Sequence, residues 1–261
     1  MLKIRILSAL LGIPLLLVLA YLGGNFWLAL VLVLAVVSLY EFYDMARQGR
    51  HRPMLGLGYG LLLLFMLVFT ATLDVGYGGV LPCFLGLLIT AILLLWYYPE
   101  RQVVDAAVTW FGALYTGVFF SYAILLENQA STPFYALLLV FLLTWASDTG
   151  GYFAGRWLGR RPLAPVLSPK KTWAGAGGAI LLTVAVAVVL GWGRYPVLHT
   201  VLLGVTASLM AQAGDLTVSA IKRHFGVKDA GHIIPGHGGV LDRFDSFMWV
   251  LPLVFYFVVG L

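Results

Sequence analysis

Phe26-Trp-Leu-Ala-Leu-Val-Leu-Val-Leu-Ala-Val-Val-Ser-Leu-Tyr-Glu-Phe-Tyr-Asp-Met45 carries no charge before Glu41. About 20 predominantly apolar residues, each rising 1.5 Å along a helix, cross a hydrocarbon core about 30 Å thick. The stretch therefore reads as a membrane-spanning helix. Eight others qualify on the same ground, at 5–22, 55–73, 79–98, 104–126, 134–153, 174–193, 197–220 and 246–261, with Pro, Gly and charged residues at nearly every junction. The first, preceded by basic residues, has the look of a signal peptide. Its length and the spans that follow read it as a retained anchor instead. The expected fold is all-α and polytopic, with about nine transmembrane helices.

The whole chain agrees with that reading. Of 261 residues 61% are hydrophobic and 10% charged, with a mean hydropathy of +0.96, whereas soluble domains carry about 25% charged residues. Cys83 is the single cysteine, so no intrachain disulfide and no cysteine zinc cluster can form. No internal repeat of the kind expected of an inverted-repeat transporter is visible. The chain divides by motif content into a membrane-spanning half, residues 1–133 with five expected helices, and a second, residues 134–261, with two long loops at 155–173 and 222–245. Loops of that length between tight turns are usually functional or disordered, and their composition favours function.

Chemistry concentrates in the second half. Asp148 and Asp215 fall inside spans, where an ionised carboxylate costs about 3 kcal/mol on insertion scales, so each is a functional candidate. The bland alternative is a helix end facing a water-filled cavity. Asp215, Ser219 and Lys222 recur at i, i+4 and i+7, which puts a polar stripe on one helix face. Beyond them Gly236, Gly238 and Gly239 surround His237 in a flexible segment whose N–H groups can converge on an anion such as phosphate. Asp242 and Asp245 stand at i, i+3 where the last helix begins; capping accounts for one acid more readily than two. Lys170 and Lys171 either hold a polyphosphate or mark the inner face, and the glycines between Gly150 and Gly159 serve helix packing at least as readily as a ligand. There is no G-x-S-x-G and no H-E-x-x-H. Carboxylates with Lys and Arg, and no sulfur ligand, make the composition of a Mg²⁺–phosphate site.

The segment Ser219-x-Ile221-Lys222-Arg223-x4-Lys228-Asp229-x-Gly231-x2-Ile234-Pro235-x-His237-Gly238-Gly239-Val240-x-Asp242-Arg243-Phe244-Asp245 resembles the signature of the phosphatidate cytidylyltransferase (CDP-diacylglycerol synthase) family. Gln212-x-Gly214-Asp215-Leu216, Ser168-Pro-Lys-Lys-Thr-Trp173 and Trp145-x-x-Asp148-Thr149 also look like motifs of that family. Ala174, where the family pattern leads us to expect an acidic or amide residue, is a departure. The resemblance covers the C-terminal half; the first half matches only as generic spans. It implies transfer of CMP from CTP to phosphatidic acid, giving CDP-diacylglycerol and pyrophosphate, with Mg²⁺ and a monovalent ion such as K⁺ beside it. It implies that Asp215 and Asp242 hold the metal; the residues themselves offer Lys222, Arg223 and Asp245 as candidates to act with them, and Lys170, Lys171, Ser219, Lys228, His237, Gly238, Gly239, Arg243 and Asp148 as candidates to meet the substrates. It also implies a homodimer in a cell (inner) membrane among its lipids. A CTP-dependent lipid-alcohol kinase, a CDP-archaeol-type synthase and an ion-coupled transporter stay open as alternatives. A CDP-alcohol phosphatidyltransferase is disfavoured, because its motif does not occur.

Charge distribution sets the expected orientation. With the N-terminus inside, Lys3 and Arg5; Arg47, Arg50 and Arg52; Arg101; Arg156, Arg160, Arg161, Lys170 and Lys171; and Lys222, Arg223, Lys228 and Arg243 all fall on the inner side, leaving Arg194 alone outside. A division so lopsided marks the cytoplasmic side. It also accounts for the net charge of +5 without nucleic acid, for which no recognition motif is present. In a Cys83→Ser background, Ser168→Cys and Gly231→Cys should react with an impermeant thiol reagent only from the cytoplasmic side and Tyr195→Cys only from the other; labelling of Ser168→Cys from outside would reverse the orientation.

Overall fold

The structure, a computed structural model, describes residues 2–71, 77–236 and 238–260. Nine α-helices occur among them: α1 Leu2–Leu22, α2 Gly24–Gln48, α3 Leu55–Ala71, α4 Tyr77–Tyr97, α5 Val103–Gln129, α6 Pro133–Leu158, α7 Trp173–Gly191, α8 Val197–His224 and α9 Leu241–Gly260. Each overlaps one apolar stretch of the sequence; residues 72–73 and 261 of those stretches lie outside the described residues. Six helices, α2 and α5–α9, are long and apolar enough to cross a membrane; α3 and the apolar parts of α1 and α4 are shorter. The protein is a polytopic α-helical membrane protein.

Two expectations need correction. The segment between α6 and α7 is not all loop: β1 Pro162–Ala164 and β2 Ser168–Thr172 form an antiparallel hairpin, in register at Pro162 with Thr172 and Ala164 with Ser168. The Trp173 N–H donates to the Arg161 carbonyl at 3.1 Å and extends the ladder into α7. Helices also outrun their apolar stretches. α8 continues past Ala220 to His224 and α9 starts at Leu241 rather than Ser246. Hydropathy marks where hydrocarbon ends, not where the helix ends. Lys222, Arg223 and His224 fill the last turn of α8, where cations favour the negative end of the helix dipole.

Between membrane helices lipid offers no apolar advantage, so close packing and internal hydrogen bonds hold the bundle. α6 and α7 meet through glycine. A Cβ at Gly150 would lie 2.5 Å from the Gly178 carbonyl oxygen, and one at Gly175 would lie 2.9 Å from that of Gly151. These glycines therefore serve packing. α8 joins the pair at Gly204, whose Cβ would stand 2.5 Å from the Val184 Cα, and through buried Ser147 and Ser208, whose hydroxyls are 3.2 Å apart. On its other side α8 receives α9, since a Cβ at Gly214 would be 2.5 Å from the Asp245 carbonyl oxygen. One continuous core, with Trp27 and Phe42 of α2, Phe120 of α5, Leu137 of α6 and Leu251 of α9, spans both halves of the chain. Gly150→Val should drive α6 from α7, and overpacking costs about 1–3 kcal/mol. Thermal unfolding in detergent should fall by roughly 5 °C, whereas Gly177→Ala, which meets nothing within 4 Å, should leave it unchanged.

Candidate active site

The polar stripe expected on α8 exists and is partnered from both sides. Ser219 Oγ lies 3.4 Å from Asp215 Oδ1 within the helix. Lys171 Nζ, from β2, lies 2.5 Å from Asp215 Oδ2. Two turns further along α8, Lys222 Nζ lies 2.6 Å from Asp242 Oδ1 on α9, with side-chain exposures of only 14% and 8%. α8 thus carries two carboxylate–ammonium pairs, one with the hairpin and one with α9. Asp245, one turn into α9 and 8% exposed, interacts electrostatically with Asp215, Asp148 and Lys222, and so links the two pairs. Its Oδ1 accepts the Ser246 N–H at 2.7 Å.

A cavity of about 470 Å³ opens beside the first pair, between α6, the hairpin, α7 and α8. Asp148, Arg156, Lys170, Lys171, Gln212 and Asp215 supply its charged and amide groups, while glycine and alanine of α6 and α7 keep its walls thin. Asp148 is exposed there, as a carboxylate inside a span must be unless it is paired. Its field reaches Asp215, Lys171 and Arg243. The hairpin matters because it carries Lys170 and Lys171 back over the cavity. The Thr172 hydroxyl, accepting the Gly175 N–H at 3.1 Å, caps α7 directly after them.

The glycine-rich segment behaves differently from expectation. Its N–H groups do converge on anions, but the anions are the protein's own. Asp242 Oδ2 accepts from Ala230 at 2.8 Å and from Gly239 at 3.2 Å. Val240 and Leu241, which open α9, donate to the two carboxylate oxygens of Glu41 at 2.9 and 2.8 Å. Glu41 belongs to α2 and is 1% exposed. Gly231 and Gly239 are glycine because a Cβ at either would lie 2.6 Å from a Glu41 oxygen; Gly231 is accordingly a poor place for a cysteine probe. Gly236 and Gly238 have φ of 77° and 86°, the left-handed region that glycine enters without strain.

The expected site residues therefore separate. Asp148, Lys170, Lys171 and Asp215 line the cavity, with Ser219 on Asp215, and Lys222, Asp242, Gly238 and Gly239 form the adjoining cluster at the start of α9. Arg223 points elsewhere: its Nε lies 3.4 Å from the Leu167 carbonyl of the hairpin turn and a terminal nitrogen 3.3 Å from that of Val227. Lys228 faces a different cavity of about 530 Å³, shared with Tyr40, Asp44 and Asp229. Arg243 is exposed on α9, and His237 lies outside the described residues. Glu41 was missed, although its signal was present: an acid within an apolar span, taken for a span end.

Taken together, fold and cavity define a polytopic membrane protein with a polar centre of carboxylates paired to lysines. The chain belongs to the cytidylyltransferase family, which matches residues 3–261. Proteins named phosphatidate cytidylyltransferase are similar over almost their whole length. That of Staphylococcus epidermidis is 35% identical over 261 residues, 97% of this chain and 97% of its own. Those of Synechocystis sp. and Bacillus subtilis are 33% and 32% identical, covering 98% and 99% of this chain and 96% and 98% of their own. The likeness extends into the first half, where the motifs alone gave only generic spans. The kinase, CDP-archaeol synthase and transporter alternatives gain no support.

Proposed function

We propose that this protein transfers CMP from CTP to phosphatidic acid, releasing pyrophosphate and leaving CDP-diacylglycerol in the membrane. The observation that carries the proposal is the meeting of three separated motifs on one helix, α8: Lys171 of Ser168–Thr172 pairs with Asp215, and two turns along Lys222 pairs with Asp242 of α9. Phosphatidic acid is a phosphate monoester whose second pKa, near 6, leaves it largely dianionic at pH 7. One of its oxygens can attack the α-phosphorus of CTP without a general base. The bond from the α-phosphorus to the bridging oxygen breaks, and pyrophosphate departs with the electron pair. The protein must then position two anions and balance their charge. Lys170 and Lys171 at the cavity are suited to the triphosphate, and Lys222 and Arg243 to the developing pyrophosphate charge.

The donors offered are all oxygen, as a divalent ion such as Mg²⁺ requires, and in this structure Lys171 and Lys222 stand on the carboxylates of Asp215 and Asp242 where an ion would take their place. Among the described residues no group of three or more His, Cys, Asp or Glu gathers that could hold a metal, and Mg²⁺ commonly takes one or two carboxylates completed by water and substrate phosphate. Asp215 and Asp242 would hold Mg²⁺, with a monovalent ion such as K⁺ beside it, and the ion would supply charge neutralisation to the phosphates. The resemblance brings into the same proposal a homodimer, a cell-membrane location and a cavity that faces the cytoplasm.

Purified protein given ring-labelled CTP, phosphatidic acid and Mg²⁺ should move label into the organic phase with equimolar pyrophosphate, and diacylglycerol should not replace phosphatidic acid. Phosphorylation of a lipid alcohol with release of CDP would contradict the proposal. Asp215→Asn and Asp242→Asn should each lower kcat by roughly 100-fold or more, with the double variant scarcely worse, because groups acting as a unit are non-additive. Losses that multiply would mean that the two carboxylates act separately.

A further inference from the structure

We propose that Glu41 is a positioning residue for this reaction: from the other half of the chain, its carboxylate fixes the start of α9 and thereby the place of Asp242 against Lys222 of α8. The inference rests on the cytidylyltransfer reading above and deepens it. Glu41 reaches nothing in the 470 Å³ cavity, so its action is indirect. Its two oxygens bind consecutive amides, Val240 at 2.9 Å and Leu241 at 2.8 Å. A bidentate grip on the N–H groups of Val240, just before α9, and of Leu241, its first residue, fixes direction as well as distance, and N–H groups at a helix start lack intrahelical partners. The next residue is Asp242.

The two carboxylates divide one set of donors. Asp242 takes Ala230 and Gly239; Glu41 takes Val240 and Leu241. The two acids also interact electrostatically. Replacing Glu41 with Gln leaves one of the two buried N–H groups short of an acceptor beside Asp242, which would be drawn from Lys222 to serve it. Glycines 231 and 239, built without side chains against the Glu41 oxygens, keep the segment close enough for this division. A carboxylate that served only to join α2 to α9 would need neither glycine nor adjacent amides. A displacement of about 1 Å at a reacting centre costs on the order of 100-fold in rate, so the cap has room to act on catalysis while the bundle stays folded.

The test uses full-length protein carrying Glu41→Gln or Glu41→Asp, measured for kcat, for KM of both substrates and for thermal unfolding. A parallel readout is the thiol reactivity of Val240→Cys in the Cys83→Ser background. Glu41→Gln keeps the shape but faces an N–H with its own NH₂. It should lower kcat at least tenfold, leave KM for phosphatidic acid within about threefold and unfold within a few degrees of wild type. Glu41→Asp, which keeps the charge, should recover part of the lost kcat. Val240 is 6% exposed, so Val240→Cys should react slowly beside Glu41 and roughly tenfold faster beside Glu41→Gln. Should Glu41→Gln fail to fold, Gly231→Ala, which crowds the same carboxylate from the loop, is expected to give the same result. A kcat within about twofold of wild type, or a loss that merely follows the unfolding temperature, would overturn the inference. Wild-type protein that makes no CDP-diacylglycerol would instead overturn the function, and the Val240→Cys reactivity would still decide whether Glu41 holds the loop.

Discussion

A carboxylate withdrawn from water must find compensation, and in this bundle the compensation of one carboxylate orders the rest. Among the described residues no lysine or arginine forms an ion pair with Glu41. It is satisfied instead by the amides that begin α9, some 200 residues away along the chain. That arrangement solves two problems together. The acid is hydrogen-bonded, and the unpaired donors of a helix start are capped. It also sets where α9 begins, and hence where Asp242 and Asp245 stand against α8.

From there Asp242, Asp215 and Asp245 of the polar centre are matched in turn. Asp242 is held by Lys222 and two amides, Asp215 by Lys171 and Ser219, and Asp245 by the Ser246 N–H. Glycine at 214 lets the α9 backbone approach α8, so this matching happens across a narrow seam. Such a seam suits phosphate chemistry. Its ammonium groups can turn toward incoming phosphates, whose added negative charge calls for a bound cation as well. The cavity next to it, walled by the glycine contacts of α6 and α7, provides the space.

Much of this was legible in the sequence, for identifiable reasons. The nine apolar stretches were visible because hydrophobicity along a chain directly measures affinity for hydrocarbon. Asp148 and Asp215 stood out because they interrupt such stretches, and the i, i+4, i+7 stripe of α8 is a matter of helical period alone. Helix ends were read short at Ala220 and Ser246, since a helix persists into the interface where its charged last turn is favourable. The hairpin was invisible: two strands of three and five residues among prolines carry no alternation long enough to detect. The glycine segment was read as able to cradle an anion, but that N–H groups around it meet Asp242 and Glu41 could not be read, because Glu41 lies on another helix. No local pattern links residue 41 to residues 240 and 241. That pairing exists only in the folded bundle.

The central claim is that carboxylates from α8 and α9, set in place by α2, serve one nucleotide site. It is tested most directly by determining the structure with Mn²⁺ and a CTP analogue that cannot be cleaved, and locating the metal by its anomalous signal. The account predicts a Mn²⁺ peak bonded to both Asp215 and Asp242, the triphosphate within hydrogen-bond reach of Lys170 and Lys171, and Glu41 still on the Val240 and Leu241 amides. A metal bound to only one of the two acids, or a nucleotide seated against Arg50 and Arg52 just past the C-terminal end of α2, would contradict it.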